Sequence, residues 1–399
     1  MNTNHLQYIQ PLFDNAVEQN KLAGINLLIY KDGKEIAYFQ SGYADRDNNK
    51  KYERNTICRM YSMTKPVTAV AAMILVEEGK LDISEELGVY LPSFWNLTVC
   101  ESKENVRKSY RNILIQDLLN MTSGYTYGAW SDEAPLGEKM TSELIQQLNE
   151  DVIGKNQITT QQVAERLSKI PVSFEPGTNY NYGLSADILG AVIEKVSGMR
   201  LSDFYRTKIF EPLKMMDTGF FVPQKKQSRL AKVYKSIETQ NGKKLELFTN
   251  CNLGIQDKMD HLPSFESGGA GLCSTVDDYM KFAQMLVNKG ELNGKRILQT
   301  KTVEFLQNAV LRSDLQQFFN LKMEHLSGYT YCNLMRVAFE PEKCKFLAEK
   351  GEFGWDGWLG PYLLVDIKNQ LAIVMTMQRT DSGTTDVTRK MKNIVYSSL

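Results

Sequence analysis

Residues 58–66, Cys58-Arg59-Met60-Tyr61-Ser62-Met63-Thr64-Lys65-Pro66, run directly into the apolar stretch VTAVAAMILVEEGKL at 67–81. Val67, Val70, Ala71, Ile74 and Leu75 recur at helical spacing, and Gly79 supplies a stop. Proline is tolerated only in the first turn of a helix, so Pro66 places the helix start at about Ser62. Ser62 then sits where unpaired backbone N–H groups and the positive helix end favour developing negative charge. Lys65, three residues on, projects from the same face and can reach the Ser62 hydroxyl. A serine hydroxyl is a poor nucleophile until a base takes its proton, and a lysine desolvated at a buried helix start can be that base. Taken alone, Ser-x-x-Lys is a common pairing, and Ser62 would serve equally well as a helix cap.

Outward from this segment, both ends of the chain read as strand. Ile25 to Tyr30 and Glu35 to Gln40 are apolar-rich runs joined across Lys31-Asp32-Gly33-Lys34, a tight-turn signal. Tyr362 to Asp366 and Leu371 to Gln378 flank the turn 367–370, and a terminal helix follows with Val387, Met391, Ile394 and Val395 on one side. The middle differs: Ile115 to Met121, Thr160 to Lys169, Ser185 to Val196 and Leu201 to Phe210 have helical spacing with Gly and Pro punctuation. Strands at both termini with helices between them predict an α+β fold, not an alternating βαβ chain. The expected division is a discontinuous α/β domain, 1–80 plus 263–399, and an inserted, mainly helical domain, 81–262, with the active site in the cleft between them. Segment 224–262, rich in Lys, Gln and Asn, reads as a surface excursion.

Composition narrows the function classes. The 399 residues carry 47 Lys plus Arg against 47 Asp plus Glu, so no net positive charge argues for nucleic acid. The longest apolar run, Val67 to Val76, is about half of a membrane-spanning helix, so no membrane partner is expected. The N-terminus MNTNHLQYIQPLF lacks the features of a secretory signal, and six cysteines are scattered without C-x-x-C pairs. Both features predict a cytoplasmic protein, the alternative being a secreted form without its leader. His5, His261 and His325 stand apart from other ligand-type residues, so neither a metal nor a cofactor is expected; they read as surface or satisfied interior residues. No G-x-S-x-G elbow accompanies a candidate serine.

The stretch from Arg59 to Lys65, with its apolar helix, resembles the serine β-lactamase and penicillin-binding protein superfamily, in its class C-like branch, closest to the S-x-x-K carboxylesterases. Further stretches carry the resemblance in the same order along the chain. Phe174-Glu175-Pro176-Gly177-Thr178 precedes Asn179-Tyr180-Asn181-Tyr182-Gly183, then Leu184-Ser185-Ala186-Asp187-Ile188-Leu189-Gly190, which matches the family's Tyr-x-Asn region and selects Tyr182 over Tyr180. Gly354-Trp355-Asp356-Gly357-Trp358 stands where β-lactamases have Lys-Thr-Gly and is similar to the Trp-Gly-Gly version of the esterase branch. Asp117-Leu118-Leu119 with Thr122-Ser123-Gly124, Phe210-Glu211-Pro212-Leu213 and the Gly-rich Ser267 to Thr275 agree and are read as structural. The resemblance implies a β-lactamase/transpeptidase-like fold, an antiparallel sheet flanked by N- and C-terminal helices with an inserted all-helical domain. It also implies catalytic roles for Ser62, Lys65 and Tyr182, and an oxyanion hole from the Ser62 and Trp358 N–H groups. Substrate contacts are implied for Trp355, Asp356 and Gly357. Tyr182 is expected to act as a base beside the lysine cation, which favours phenolate. Gly357 is expected to let substrate approach closely.

Two departures bear on substrate. The lysine that binds a substrate carboxylate is replaced by Trp355, and Asp356 either points away or adds negative charge. The Asn of Tyr-x-Asn is replaced by Leu184. Both favour a serine hydrolase acting on neutral carboxylic esters, with a small-molecule ester or amide as partner. The alternatives are a β-lactamase or D-alanyl peptidase, an acyltransferase, or a penicillin- or peptide-binding module that does not turn over. The oligomeric state is left open.

Overall fold

A computed structural model describes residues 1–103, 105–152, 157–240 and 242–399. The chain opens with helix α1 (Ile9–Glu18), then strands β1 (Gly24–Lys31), β2 (Lys34–Asp45) and the short β3 (Lys50–Lys51). Helix α2 (Thr64–Glu77) carries the apolar stretch, and α3 (Val276–Val287) follows the long central region. Strands β4 (Tyr329–Cys332), β5 (Met335–Ala338), β6 (Phe353–Gly354), β7 (Tyr362–Asp366) and β8 (Leu371–Met377) and helix α4 (Asp386–Ser397) complete the chain.

The eight strands form one sheet in the order β4-β5-β6-β7-β8-β1-β2-β3, antiparallel at every pairing. The termini therefore meet at its centre, where Leu28 pairs Val374 and Val374 pairs Leu363. The β1–β2 turn has positive φ at both Asp32 (52°) and Gly33 (73°), the mirror-image turn whose twist suits a two-residue hairpin. Both faces of the central strands are covered, which is why their sequences are almost continuously apolar. Leu27 and Ile29 of β1 pack with Ile373 and Met375 under α1 and α4, while Leu28, Val365 and Val374 join the core on the α3 side. The α4 helix is also tied down by a fully buried ion pair. Lys392 meets Glu352, each only 1% exposed, and the Tyr329 and Tyr396 hydroxyls donate to the same carboxylate.

Three sequence expectations are corrected by the fold. The α-helix begins at Thr64, not Ser62; Tyr61–Met63 form a single 3-10 turn before it. Pro66 is the third helical residue, still within the turn whose N–H groups have no helical partner, so the proline costs no hydrogen bond. The 201–210 helix is α-helical over Leu201–Tyr205 and continues as a π-helical turn over Arg206–Phe210. Segment 224–262 is not simply a surface excursion. It contains a hairpin, Val233–Thr239 paired with Gly242–Phe248, whose inner residues Val233 and Tyr234 are buried. The Tyr234 N–H donates to the Gln378 carbonyl at 3.0 Å, seating the hairpin at the end of β8.

Candidate active site

Residues Cys58–Arg59 pair antiparallel with Cys273–Ser274, and the Met60 N–H donates to the Leu272 carbonyl at 2.8 Å. This short ladder sets the turn carrying Ser62 beside the Gly-rich segment 267–275. Tyr61 has φ 44°, a left-handed conformation that costs a bulky residue about 1–3 kcal/mol. Its ring lies edge-on to Trp358 with centroids 5.1 Å apart, so packing holds the strained residue that precedes Ser62.

Lys65 is completely buried. Its Nζ lies 3.2 Å from Ser62 Oγ, 2.9 Å from the Tyr127 hydroxyl and 2.8 Å from the Gly269 carbonyl oxygen. Three neighbours suit an ammonium, but they suit the free amine equally. Two N–H groups can point at Tyr127 and Gly269, leaving the lone pair for the Ser62 proton. Burial pushes Lys65 from its ordinary 10.5 down to about 7, with the Asp187 carboxylate opposing the shift. Asp187 itself accepts hydrogen bonds from the Ser267 hydroxyl and the Gly269 N–H. It thereby fixes the backbone whose carbonyl receives Lys65.

Tyr182 places its ring 4.7 Å from Lys65 Nζ and accepts a 2.7 Å hydrogen bond from the Trp355 indole N–H. Burial drives its phenol well above the usual tyrosine value, with hydrogen bonding to Ser62 opposing. Burial favours the neutral phenol, which can accept one proton while giving another. Leu184, at the expected asparagine position, is buried apolar packing.

Trp355 is buried between Tyr182 and Tyr331, with ring centroids 5.4 and 4.7 Å away. Asp356 faces the cavity and accepts a hydrogen bond from the Thr384 hydroxyl, so it does not point away from the site. Gly357 lines the cavity and also makes a close backbone approach. A Cβ there would collide with the Met60 carbonyl oxygen, so its smallness lets the Trp355–Trp358 segment close on the turn before Ser62. Among the described residues the Trp358 N–H has no hydrogen-bond acceptor, while its indole donates to Asp381 Oδ1 at 2.9 Å. A free N–H next to a nucleophile is what an oxyanion hole requires.

These groups line one cavity of about 470 Å³, whose walls are largely aromatic and aliphatic: Tyr61, Tyr127, Trp130, Ile145, Leu253, Met323 and Trp358. Ser62, Tyr182, Trp355, Asp356, Gly357 and Trp358 all reach it. Sequence reasoning missed Tyr127, although it stands three residues after the Thr122-Ser123-Gly124 motif, where a motif-anchored tyrosine was a usable signal. It also missed His325 on the cavity wall, where partial desolvation among its neighbours holds the imidazole below its ordinary value.

A family model described as Beta-lactamase matches residues 9–395. Among curated proteins, Protein Rv1367c of Mycobacterium tuberculosis (strain ATCC 25618 / H37Rv) is 28% identical, over 86% of this chain and 81% of its own length. Esterase EstB of Burkholderia gladioli is 25% identical over 98% of this chain and 94% of its own. Among solved structures, that of "EstCE1, a hydrolase with promiscuous acyltransferase activity" superposes with a TM-score of 0.82 at 22% identity, covering 99% of both chains, and is similar in fold.

Proposed function

Because the chain belongs to the Beta-lactamase family, we propose that it is a serine hydrolase that works through a Ser62 acyl-enzyme on neutral carboxylic esters. The observation that carries this reading is the placement of Lys65 Nζ 3.2 Å from Ser62 Oγ with its two other hydrogen-bonding directions already taken. Lys65 takes the Ser62 proton as Oγ attacks the ester carbonyl carbon. The oxyanion that forms is met by the Ser62 and Trp358 N–H groups, and losing one such donor costs about 2.7–4 kcal/mol. Collapse breaks the bond to the alcohol oxygen, which leaves with the proton that Lys65 took from Ser62, Tyr182 being the proposed second acid–base group at the same serine. Water, deprotonated by the same pair, then attacks the acyl-enzyme, releasing the acid and restoring the Ser62 hydroxyl. Trp355, Asp356 and Gly357 form the wall beside the bound substrate.

The two-part division of the chain, 1–80 plus 263–399 against 81–262, belongs to the same proposal. It is supported by a sheet drawn from both termini and by a cavity lined from both parts. All six cysteines are unbonded, which favours a reducing compartment such as the cytoplasm over a secreted form. Among the described residues no helix is long and apolar enough to cross a membrane.

Esters are preferred to β-lactams or D-alanyl peptides because, among the described residues, no Lys or Arg lines the cavity to receive a substrate carboxylate. Acyl transfer to an alcohol is the second reading, favoured by the apolar walls that would exclude water from the acyl-enzyme. A panel of short-chain p-nitrophenyl esters, anilides and nitrocefin on one sample tests the order. The esters are expected to give a kcat/KM at least about tenfold above nitrocefin, about 1.4 kcal/mol of discrimination. Faster nitrocefin turnover reverses the assignment.

A further inference from the structure

The cavity at Ser62 has a charge pattern that its ester chemistry does not call for. Among the described residues, the only carboxylate-bearing, lysine or arginine side chains on its wall are Asp356 and Asp381, and neither carboxylate is met by a cation there. Each is met instead by a neutral donor: Asp381 by the Trp358 indole N–H and Asp356 by the Thr384 hydroxyl. One short segment, 381–384, brings them together, running against 356–358 with the Ser382 N–H donating to the Trp358 carbonyl at 2.9 Å. Lys65 is buried with its nitrogen already bonded. Arg336 lies 6.0 Å from the Trp355 ring, is 2% exposed and is absent from the cavity wall. His325 completes the polar wall. Beside the carboxylates stand aromatic faces, Trp358 and the Trp130 ring, which is 93% exposed at the rim. Arg336 and Arg379 act on Asp356 and Asp381 through space, but among the described residues no cation is bonded to either carboxylate; beside aromatic faces, the two suit a weakly hydrated organic cation, which gains both Coulomb and cation–π attraction.

Resting on the ester-hydrolase reading above, we propose that the preferred substrates are esters whose alcohol half carries an alkylammonium group, held by Asp356, Asp381, Trp130 and Trp358. The alcohol half, the first product to leave, is placed on this wall as part of the proposal; Asp381 on it is exposed to solvent. The reaction is an ordinary hydrolysis. Ser62 Oγ bonds to the acyl carbon, the bond to the alcohol oxygen breaks, and the amino alcohol departs with the relayed proton. Water releases the acid, and the cation takes no part in bond making.

The test compares three thioesters of matched size: acetylthiocholine, its neutral carbon isostere S-(3,3-dimethylbutyl) thioacetate, and the anionic 3-(acetylthio)propanoate. At low salt, kcat/KM for the cation is expected to exceed that of the neutral isostere by about tenfold, with the anion slowest. The readout is that cation-to-neutral ratio, whatever the absolute rates; it should fall toward one in Asp356→Asn, in Asp381→Asn, and in wild type at high salt. A ratio of one or less in wild type, or a ratio unchanged in both variants, overturns the proposal. Ser62-dependent turnover of the neutral isostere in that outcome leaves the ester-hydrolase reading standing. If no thioester turns over, the rates at which a cationic and a neutral phosphonate ester label Ser62 give the same ratio. Absence of all labelling removes the acyl-enzyme reading and this inference together.

Discussion

At Lys65 the requirements of folding and of chemistry oppose each other. Burying an amine costs free energy while it is charged, and that cost is what brings Lys65 down to about 7, where a free amine is available at neutral pH. The activity of the wild type, as kcat/KM on a neutral ester, is therefore expected to rise with pH through about 7. A flat profile between about pH 5 and about pH 9 would remove Lys65 as the base. The same shift has a stability consequence of definite sign. Between about 7 and 10.5 the unfolded chain holds a proton on this lysine that the folded chain does not, so stability rises with pH across that window. Below about 7 the full cost is present. Lys65→Met should then be inactive yet more stable than wild type to urea below about pH 7, its advantage shrinking toward pH 10.5. Equal stabilities at every pH would contradict this. Ser62 and Lys65 were legible in the sequence because their relation is local, three residues on one helix start. The contact of Lys65 with Tyr127 spans 62 residues and depends on how the 122–128 loop is folded back, which no local spacing encodes.

Two elements hold the site in shape without sharing its chemistry. The first is the Trp355–Trp358 segment, whose Gly357 closes against the Met60 carbonyl. Gly357→Ala must force these backbones apart, at a cost of about 1–3 kcal/mol in stability. Because the displaced segment carries the Trp358 N–H, kcat should fall far more than KM rises; kinetics on a p-nitrophenyl ester beside a urea melt measures both. Unchanged kcat would show that the segment is not held by this contact. The glycine was legible in the sequence, but its contact with Met60 was not, since that neighbour lies roughly 300 residues away in the chain and such long-range contacts leave no local pattern. The second element is helix α4, anchored by Lys392 to Glu352. Lys392→Met leaves a buried carboxylate without its cation, and a loss of about 3–5 kcal/mol is expected. The folded fraction should keep its kcat, because Lys392 is not part of the cavity wall; equal loss of kcat in fully folded protein would contradict that.

On the scale of the whole molecule, the fold was legible where the chain is periodic and less so where it is not. The two terminal hairpins and α4 follow from apolar runs, helical spacing and turn residues, and the sheet joins them as the strand readings imply. The hairpin in 224–262 was not legible, because polar residues dominate its composition and only Val233 and Tyr234 of its two strands are fully buried. That hairpin matters to the site, since Phe248 at its end packs on Trp358 with ring centroids 5.6 Å apart. The molecule thus closes a cavity around Ser62 from segments spread over most of the chain, and one covalent event summarises what they are for. Intact-mass and peptide mass spectrometry after quenching the protein with a slowly deacylating p-nitrophenyl ester tests that event. One acyl group is expected, located on Ser62 in wild type and absent from Ser62→Ala, with ester hydrolysis lost in the variant. Hydrolysis that persists in Ser62→Ala, or an acyl group found on another residue, would contradict it.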